Sequence, residues 1–324
     1  MLGSTRRMIS AALFNCLVFG AVAQAEEWPS RHITIIVPAA AGGGSDAFAR
    51  PLAQQLDQQL GQRVIIENRP GGGTTVGAAA AAKAAPDGYT YFFGAAHSAI
   101  AQSVYPQITY NIETDFIPVA MVARPPHVVV VSDKVPAATL SELIAYAKAN
   151  PDKLTYAHAG VGTTHHLFGE LFKGLNGISI VPVPYRGAGP GMMDVVAGQV
   201  SMIFDGLGSA APQISGGKVK ALAVTSAQRV AAFPDLPTVA EAGVPKFEVA
   251  TWYGLFAPKG TPQPIIDRMT AEVRKALASP AIQSLWLKNG SDVPDVYGKA
   301  FADHVALEVT RWGSVVKEAG IKAE

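Results

Sequence analysis

The sequence predicts an α/β protein of two lobes, each built on a mostly parallel sheet flanked by helices, with two crossing segments between them. Three observations predict it. Short apolar, β-rich runs alternate with stretches of helical apolar spacing along most of the chain, the pattern of parallel strands covered by helices. The length, 324 residues, exceeds what one core usually organises. Two proline-marked passages offer routes between cores: Ala123-Arg124-Pro125-Pro126, and the segment 247–252 that follows the proline-rich stretch 233–245.

Taken in order, residues 32–38, 63–67 and 89–93 read as strands, and so do 127–132, 154–158, 180–183, 200–204 and 219–225. Between them 46–60, 139–149, 164–173 and 190–197 carry apolar residues at helical spacing. Residues 264–319 read as helix almost throughout, with breaks at Pro280 and across 290–294. The crossings then assign 26–125 and 250–324 to one lobe and 126–249 to the other.

The start of the chain reads as an export signal over residues 1–25. Arg6 and Arg7 precede an apolar run over 9–22, and Ala23-Gln24-Ala25 supplies small residues where a signal peptidase cuts. Glu26, Glu27 and Pro29 end the run before it is long enough to span a bilayer comfortably. Cleavage there removes two basic residues and no acidic ones, so the formal charge passes from +1 to −1. Cys16, the only cysteine, leaves with the signal, which excludes cysteine catalysis and disulfides in the mature chain and suits an oxidising compartment. A near-neutral balance without basic runs excludes nucleic acid as a partner.

Chemistry-bearing residues gather at three helix starts. Pro38-Ala39-Ala40-Ala41-Gly42-Gly43-Gly44-Ser45-Asp46 follows a strand and opens a helix, with Ser45 or Asp46 available as a cap. Gly160-Val161-Gly162-Thr163-Thr164-His165-His166 and Arg186-Gly187-Ala188-Gly189-Pro190 sit at the same kind of junction. Free backbone N–H groups at a helix start favour an anion through hydrogen bonds and the helix dipole. One such loop in the first lobe and two in the second predict a clamp on an anionic ligand.

The other constellations are weaker. Gly71-Gly72-Gly73-Thr74-Thr75-Val76-Gly77 misses the dinucleotide register, since Val76 stands at the final glycine position, and reads as a tight strand-to-helix turn. His166 and Glu170 lie one helical turn apart but lack a third metal ligand, so neither metal nor cofactor is expected. His97 and His158 can donate to a carboxylate, and Asp205 can accept from a ligand donor or hold a neighbouring loop. Ser45, Ser98, His97 and Asp205 permit a hydrolase triad on paper, without the elbow that such a nucleophile needs.

Together these motifs resemble the extracytoplasmic solute receptors of the tripartite tricarboxylate transporter group, the Bug family of periplasmic binding proteins. The resemblance runs through 33–46, 64–77, Ala85-Pro86-Asp87-Gly88-Tyr89 and 154–170. It continues through Val183-Pro184-Tyr185-Arg186-Gly187, 198–205, 221–226, 235–243 and Thr251-Trp252-Tyr253-Gly254-Leu255. It implies a type II periplasmic-binding-protein fold that closes on a carboxylate, and a monomeric receptor that serves one large and one small integral membrane subunit. Carried over, Ala40, Ala41, Gly162, Thr163 and Thr164 hold the carboxylate, and Asp205 falls where relatives often select an amino group. Phe48, His97 and the His165-His166 pair depart from the usual small or amide side chains. An aromatic face with imidazole donors suits an aromatic dicarboxylate such as terephthalate or protocatechuate, ahead of citrate or another aliphatic acid. A receptor used for sensing and a periplasmic hydrolase are the alternatives.

Overall fold

The computed structural model describes residues 28–247, 249–318 and 321; the expected signal, with Cys16, lies outside them. The chain runs β1 (Ile33–Val37), α1 (Gly44–Leu60), β2 (Val64–Asn68), α2 (Thr75–Ala82), β3 (Thr90–Ala95), α3 (Ala96–Val104) and β4 (Phe116–Ala123). It then crosses into β5 (His127–Val131), α4 (Leu140–Ala149), β6 (Thr155–His158), α5 (Thr164–Asn176), β7 (Val181–Pro184), α6 (Ala188–Ala197), β8 (Met202–Gly206), α7 (Leu207–Ser215) and β9 (Lys220–Val224). A second crossing leads to β10 (Tyr253–Pro258), α8 (Gln263–Leu277), α9 (Pro280–Lys288) and α10 (Gly298–Glu318). Among the described residues no helix is long and apolar enough to cross a membrane.

The strands form two five-stranded sheets, ordered β2-β1-β3-β10-β4 and β7-β6-β8-β5-β9. In each sheet one strand opposes its neighbours: β10 is antiparallel to β3 and β4, and β5 to β8 and β9. Those two strands are the ones entered directly from the crossings, so each sheet borrows its reversed strand from the returning chain. The mostly parallel arrangement predicted from the sequence is therefore present, with helices on both faces.

The pleat sorts the side chains between the two faces. Ile33, Ile35 and Val37 of β1 join Tyr91 and Phe93 of β3 on one side, under α1, α8 and α9. Ile36 and Phe92 point the other way, into a cluster with Trp252, Phe301 and Val305. In the second sheet Val129 and Val131 face Leu143, Phe168 and Phe172, while Val128 and Val130 face Met192, Val195 and Leu207. The run of four valines in β5 is thus buried on both faces, as a central strand requires.

Phe48 belongs to this packing and not to a ligand surface, which corrects the expectation from the sequence. It is 0% exposed, stacked 5.2 Å from Tyr253 and edge-on 4.9 Å from Trp286. Its neighbours along α1, Leu52 and Leu56, follow at helical spacing into the same core. Truncating a buried aromatic side chain loses its transfer energy and leaves a cavity. Phe48→Ala is expected to cost roughly 3–5 kcal/mol of stability, read as a lowered denaturant midpoint, with the ligand affinity of the folded protein changed little.

Candidate functional site

Helix starts from both sheets converge on one small cavity, about 20 Å³ in volume. Gly43, Gly44 and Ser45 line it from the beginning of α1, Thr163, Thr164 and His165 from α5, and Ala188 from α6. Thr74, His97, Thr251 and Tyr253 complete the wall on the side of the first sheet, and Ala159 on that of the second. None of the lining residues is Lys, Arg, Asp or Glu.

The cap residues of α1, α5 and α6 are Gly43, Thr163 and Gly187, and none of them makes a side-chain cap hydrogen bond. Asp46, expected as a possible cap, instead receives hydrogen bonds from Gly42 N (3.1 Å), Arg50 Nε (2.7 Å) and Asn68 Nδ2 (3.1 Å). Thr163 Oγ1 turns back to Gly160 O at 2.7 Å. None of the three cap residues places a side-chain acceptor on the first N–H groups of its own helix, which leaves the starts receptive to an anion.

The loops meet backbone to backbone. A Cβ at Gly189 would lie 2.6 Å from Ala41 O, and one at Gly73 would lie 2.6 Å from Val161 O. Ala40 packs on Gly187 in the same contact, and Tyr105 Oη donates to Val161 O at 2.6 Å. Small residues are required here because they set how near the helix starts can come.

Of the residues singled out from the sequence, Ser45, His97, Thr163 and Thr164 line the cavity, while Ala40, Ala41 and Gly187 form the contact between loops beside it. Gly162 sits over Val104 of α3. Arg186 is exposed at an outer opening of about 450 Å³, shared with the Gly71-Gly72-Gly73 turn and Tyr185. His166 does not reach the cavity: its ring lies 4.7 Å from that of His158, and its Nδ1 accepts from Gly162 N at 3.4 Å. Glu170 is likewise engaged elsewhere, by Tyr156 Oη (2.6 Å) and Lys173 Nζ (2.9 Å).

Asp205 is also absent from the lining. It is fully buried, and its Oδ1 accepts from Gly206 N (2.8 Å) and faces His165 Nε2 at 3.2 Å. Oδ2 accepts from Ser209 Oγ at 2.8 Å. The acid is thus satisfied internally, and of the expected His165-His166 pair it is His165 that stands in front of it and lines the cavity. Thr74, Ala159, Thr251 and Tyr253 are lining residues that the sequence did not single out for a ligand. Thr74 holds a left-handed backbone at φ 83°, a strained conformation for a β-branched residue.

Burial governs the histidines. His97 is pushed down to about 3, by burial first and by nearby His165 second. His127, edge-on to His165 at 5.5 Å and to Phe168 at 4.5 Å, is held well below 6.5 for the same two reasons. Burial raises Tyr253, and the Asp205 charge adds to it. Among the described residues no group of three or more His, Cys, Asp or Glu side chains is placed to hold a metal ion.

A larger cavity, about 750 Å³, lies at the crossings and shares Thr251 with the small one. Its charged groups are already matched: Arg124 with Asp292, Arg229 with Glu241, and Arg311 with Glu308. The smaller space is where unpaired polar groups and helix starts coincide, so chemistry rather than size marks the site.

Two α/β lobes, crossed twice by the chain and closed over helix starts, define a two-lobed solute-binding protein of the type II periplasmic-binding-protein fold. The family model "Tripartite tricarboxylate transporter family receptor" matches residues 48–321. BugT of Bordetella pertussis is 36% identical over 92% of this chain and 92% of its own length. An R. palustris protein solved with adipate is 36% identical, covers 91% of this chain and 99% of its own, and superposes with a TM-score of 0.88. MatC of Rhodopseudomonas palustris, solved with bound malate, is 36% identical over 89% and 100%, with a TM-score of 0.85. The chain belongs to the tripartite tricarboxylate transporter receptor family, the Bug family.

The buried neutral histidines give the ligand-free protein a pH dependence of definite sign. Their folded values lie below the unfolded one of 6.5, so the unfolded chain binds more protons as pH falls below 6.5. Stability is therefore whole above about 6.5 and declines toward acid. His127→Phe, which removes two buried ring nitrogens without partners, is expected to flatten the fall of the thermal midpoint between pH 7 and 4.5.

Proposed function

We propose that this chain captures a small organic carboxylate between its lobes, leaves it chemically unchanged, and does so in the periplasm as a monomer. The observation that carries this reading is the convergence of three uncapped helix starts on one cavity. In this reading the lobes are 26–125 with 250–324, and 126–249. Backbone N–H groups of Ala40 and Ala41 with Ser45 hold the carboxylate from one lobe, and Gly162, Thr163, Thr164 and Gly187 from the other, with Arg186 at the entrance. The loaded protein then serves one large and one small membrane subunit, a reading supported by the tripartite transporter that the family is named for.

The ligand class follows the same logic. Burial of Phe48 removes the aromatic face that favoured terephthalate, and Tyr253 cannot replace it. Its ring lies between Phe48 at 5.2 Å and Phe93 at 6.1 Å, with interplanar angles of 28° and 15°. Adipate and malate in relatives 36% identical to this chain support an aliphatic dicarboxylate ahead of an aromatic one. A hydrolase is disfavoured, because among the described residues no serine hydroxyl is hydrogen-bonded to a histidine. Asp205 spends its second oxygen on Ser209, and Ser98 Oγ accepts from Ala95 N.

A thermal-shift screen of refolded, ligand-stripped protein against malate, adipate, citrate and terephthalate tests the reading. At a hundredfold excess over Kd a ligand adds about 2.7 kcal/mol, a shift of several degrees. A shift confined to terephthalate would restore the aromatic preference, and turnover of any of these acids would replace the receptor by an enzyme. Thr164→Val removes one hydrogen bond to a charged group, worth about 1.5–3 kcal/mol, so Kd measured by calorimetry is expected to rise roughly ten- to a hundredfold.

A further inference from the structure

Three residues around the same space each carry a buried polar atom without a hydrogen-bond partner. Among the described residues the buried unpaired atoms include Thr74 Oγ1, His97 Nε2 and His165 Nδ1, and all three residues line the small cavity. Thr74 is 5% exposed and His97 7%, so the cavity wall carries polar groups shut away from bulk water. A buried polar group left unpaired is costly, and three at one place point to a ligand that satisfies them.

The ring of His165 is oriented by its partners. Asp205 accepts from Gly206 N and Ser209 Oγ and faces His165 Nε2 at 3.2 Å, so a hydrogen on Nε2 points toward the acid. A neutral ring in that tautomer carries its lone pair on Nδ1. A carboxylate oxygen arriving at a lone pair is repelled; one arriving at Nδ1–H is bound. No Lys or Arg lines the space, so beyond the helix starts no fixed cation meets the charge.

We infer that His97 and His165 together seat an acidic end of the ligand and take up one proton from solvent as they do so, with Asp205 a positioning residue behind His165. The proton goes to an imidazole nitrogen of the pair, and no other bond is made or broken. One proton serves both rings, because two imidazolium groups this close repel each other. The groups that face His165 fit this assignment: Asp205 on β8 lies 3.2 Å from its Nε2, while His127 on β5 and His97 on α3 are held neutral by burial. Tyr253 on β10 stays protonated beside the Asp205 charge. On α5 itself His166 is turned toward His158 of β6, and Glu170 is paired with Lys173. The inference rests on the carboxylate-receptor reading and adds a proton to it.

Because bound anion raises the imidazole's proton affinity, binding is strongest in acid and weakens as pH rises through the value reached in the complex. The test is calorimetric titration of the whole mature protein with malate, adipate and terephthalate at pH 7, in two buffers of unlike ionisation enthalpy. The expected result is an uptake near one proton per ligand, with Kd rising by up to about tenfold per pH unit between pH 6.5 and 8. His165→Gln keeps a polar side chain of similar reach but cannot titrate; its uptake is expected to fall toward zero and its pH slope to flatten. Asp205→Asn is expected to lower the uptake as well, whereas a purely structural acid would change the melting temperature and leave the proton count alone. Should Asp205→Asn fail to fold, His165→Gln and the wild-type buffer comparison decide. Binding with the same apparent enthalpy in both buffers would overturn the proton uptake and leave the receptor standing. No binding of any of the three acids would overturn the dicarboxylate reading, and this inference with it.

Discussion

Everything at the site depends on how closely two peptide backbones approach across the cleft. Ala41 with Gly189, and Gly73 with Val161, meet with no room for side chains between them. That approach brings the positive ends of α1, α5 and α6 to one point, where their fields add. A methyl group in either contact would hold the lobes apart, and each helix start would be left to solvent. The abundance of glycine and alanine in these loops is thus an electrostatic requirement expressed as a steric one.

The consequence is a site that attracts an anion without a fixed cation. A lysine or arginine in the cavity would bind tightly but would have to be desolvated each time the lobes close. Helix ends, threonine hydroxyls and neutral imidazoles carry partial charges that are already oriented and cost little to bury. The histidine cluster extends this economy. Asp205 lies one layer back, where Gly206, Ser209 and His165 hold it in place, so no carboxylate lines the cavity.

Much of this was legible before the structure. The strand and helix alternation, the two crossings and the three glycine-rich helix starts all appear in the sequence because they are local signals of composition and period. What escaped did so for physical reasons. β4 contains Pro118, which argues against a strand in a sheet interior, and it is tolerated because β4 lies at the sheet edge. α3 is buried along both faces, so it shows no amphipathic stripe to mark it. The choice between His165 and His166 turns on one step of about 100° around a helix, and adjacent identical residues give no clue to it. Phe48 misled in the same manner, since its helix contributes its first turn to the cavity and its next turn to the core. Thr74 was hidden by its setting, because three glycines before it account for a turn without hinting at a strained threonine.

α10 gives the molecule a mechanical property of its own. Phe301 and Val305, near its beginning, are packed with the first sheet, whereas Trp312 and Val316, two turns later, are packed with the second. Glu308 stands between them and accepts hydrogen bonds from Trp252 in the crossing segment and from Trp312 in its own helix. A rigid rod clamped at either end by different bodies behaves as a leaf spring. Parting the lobes must flex it or slide one end in its socket, and the elastic work is returned on closing. Any balance between parted and closed lobes would then be set partly in the last helix of the chain, at residues that do not line the small cavity.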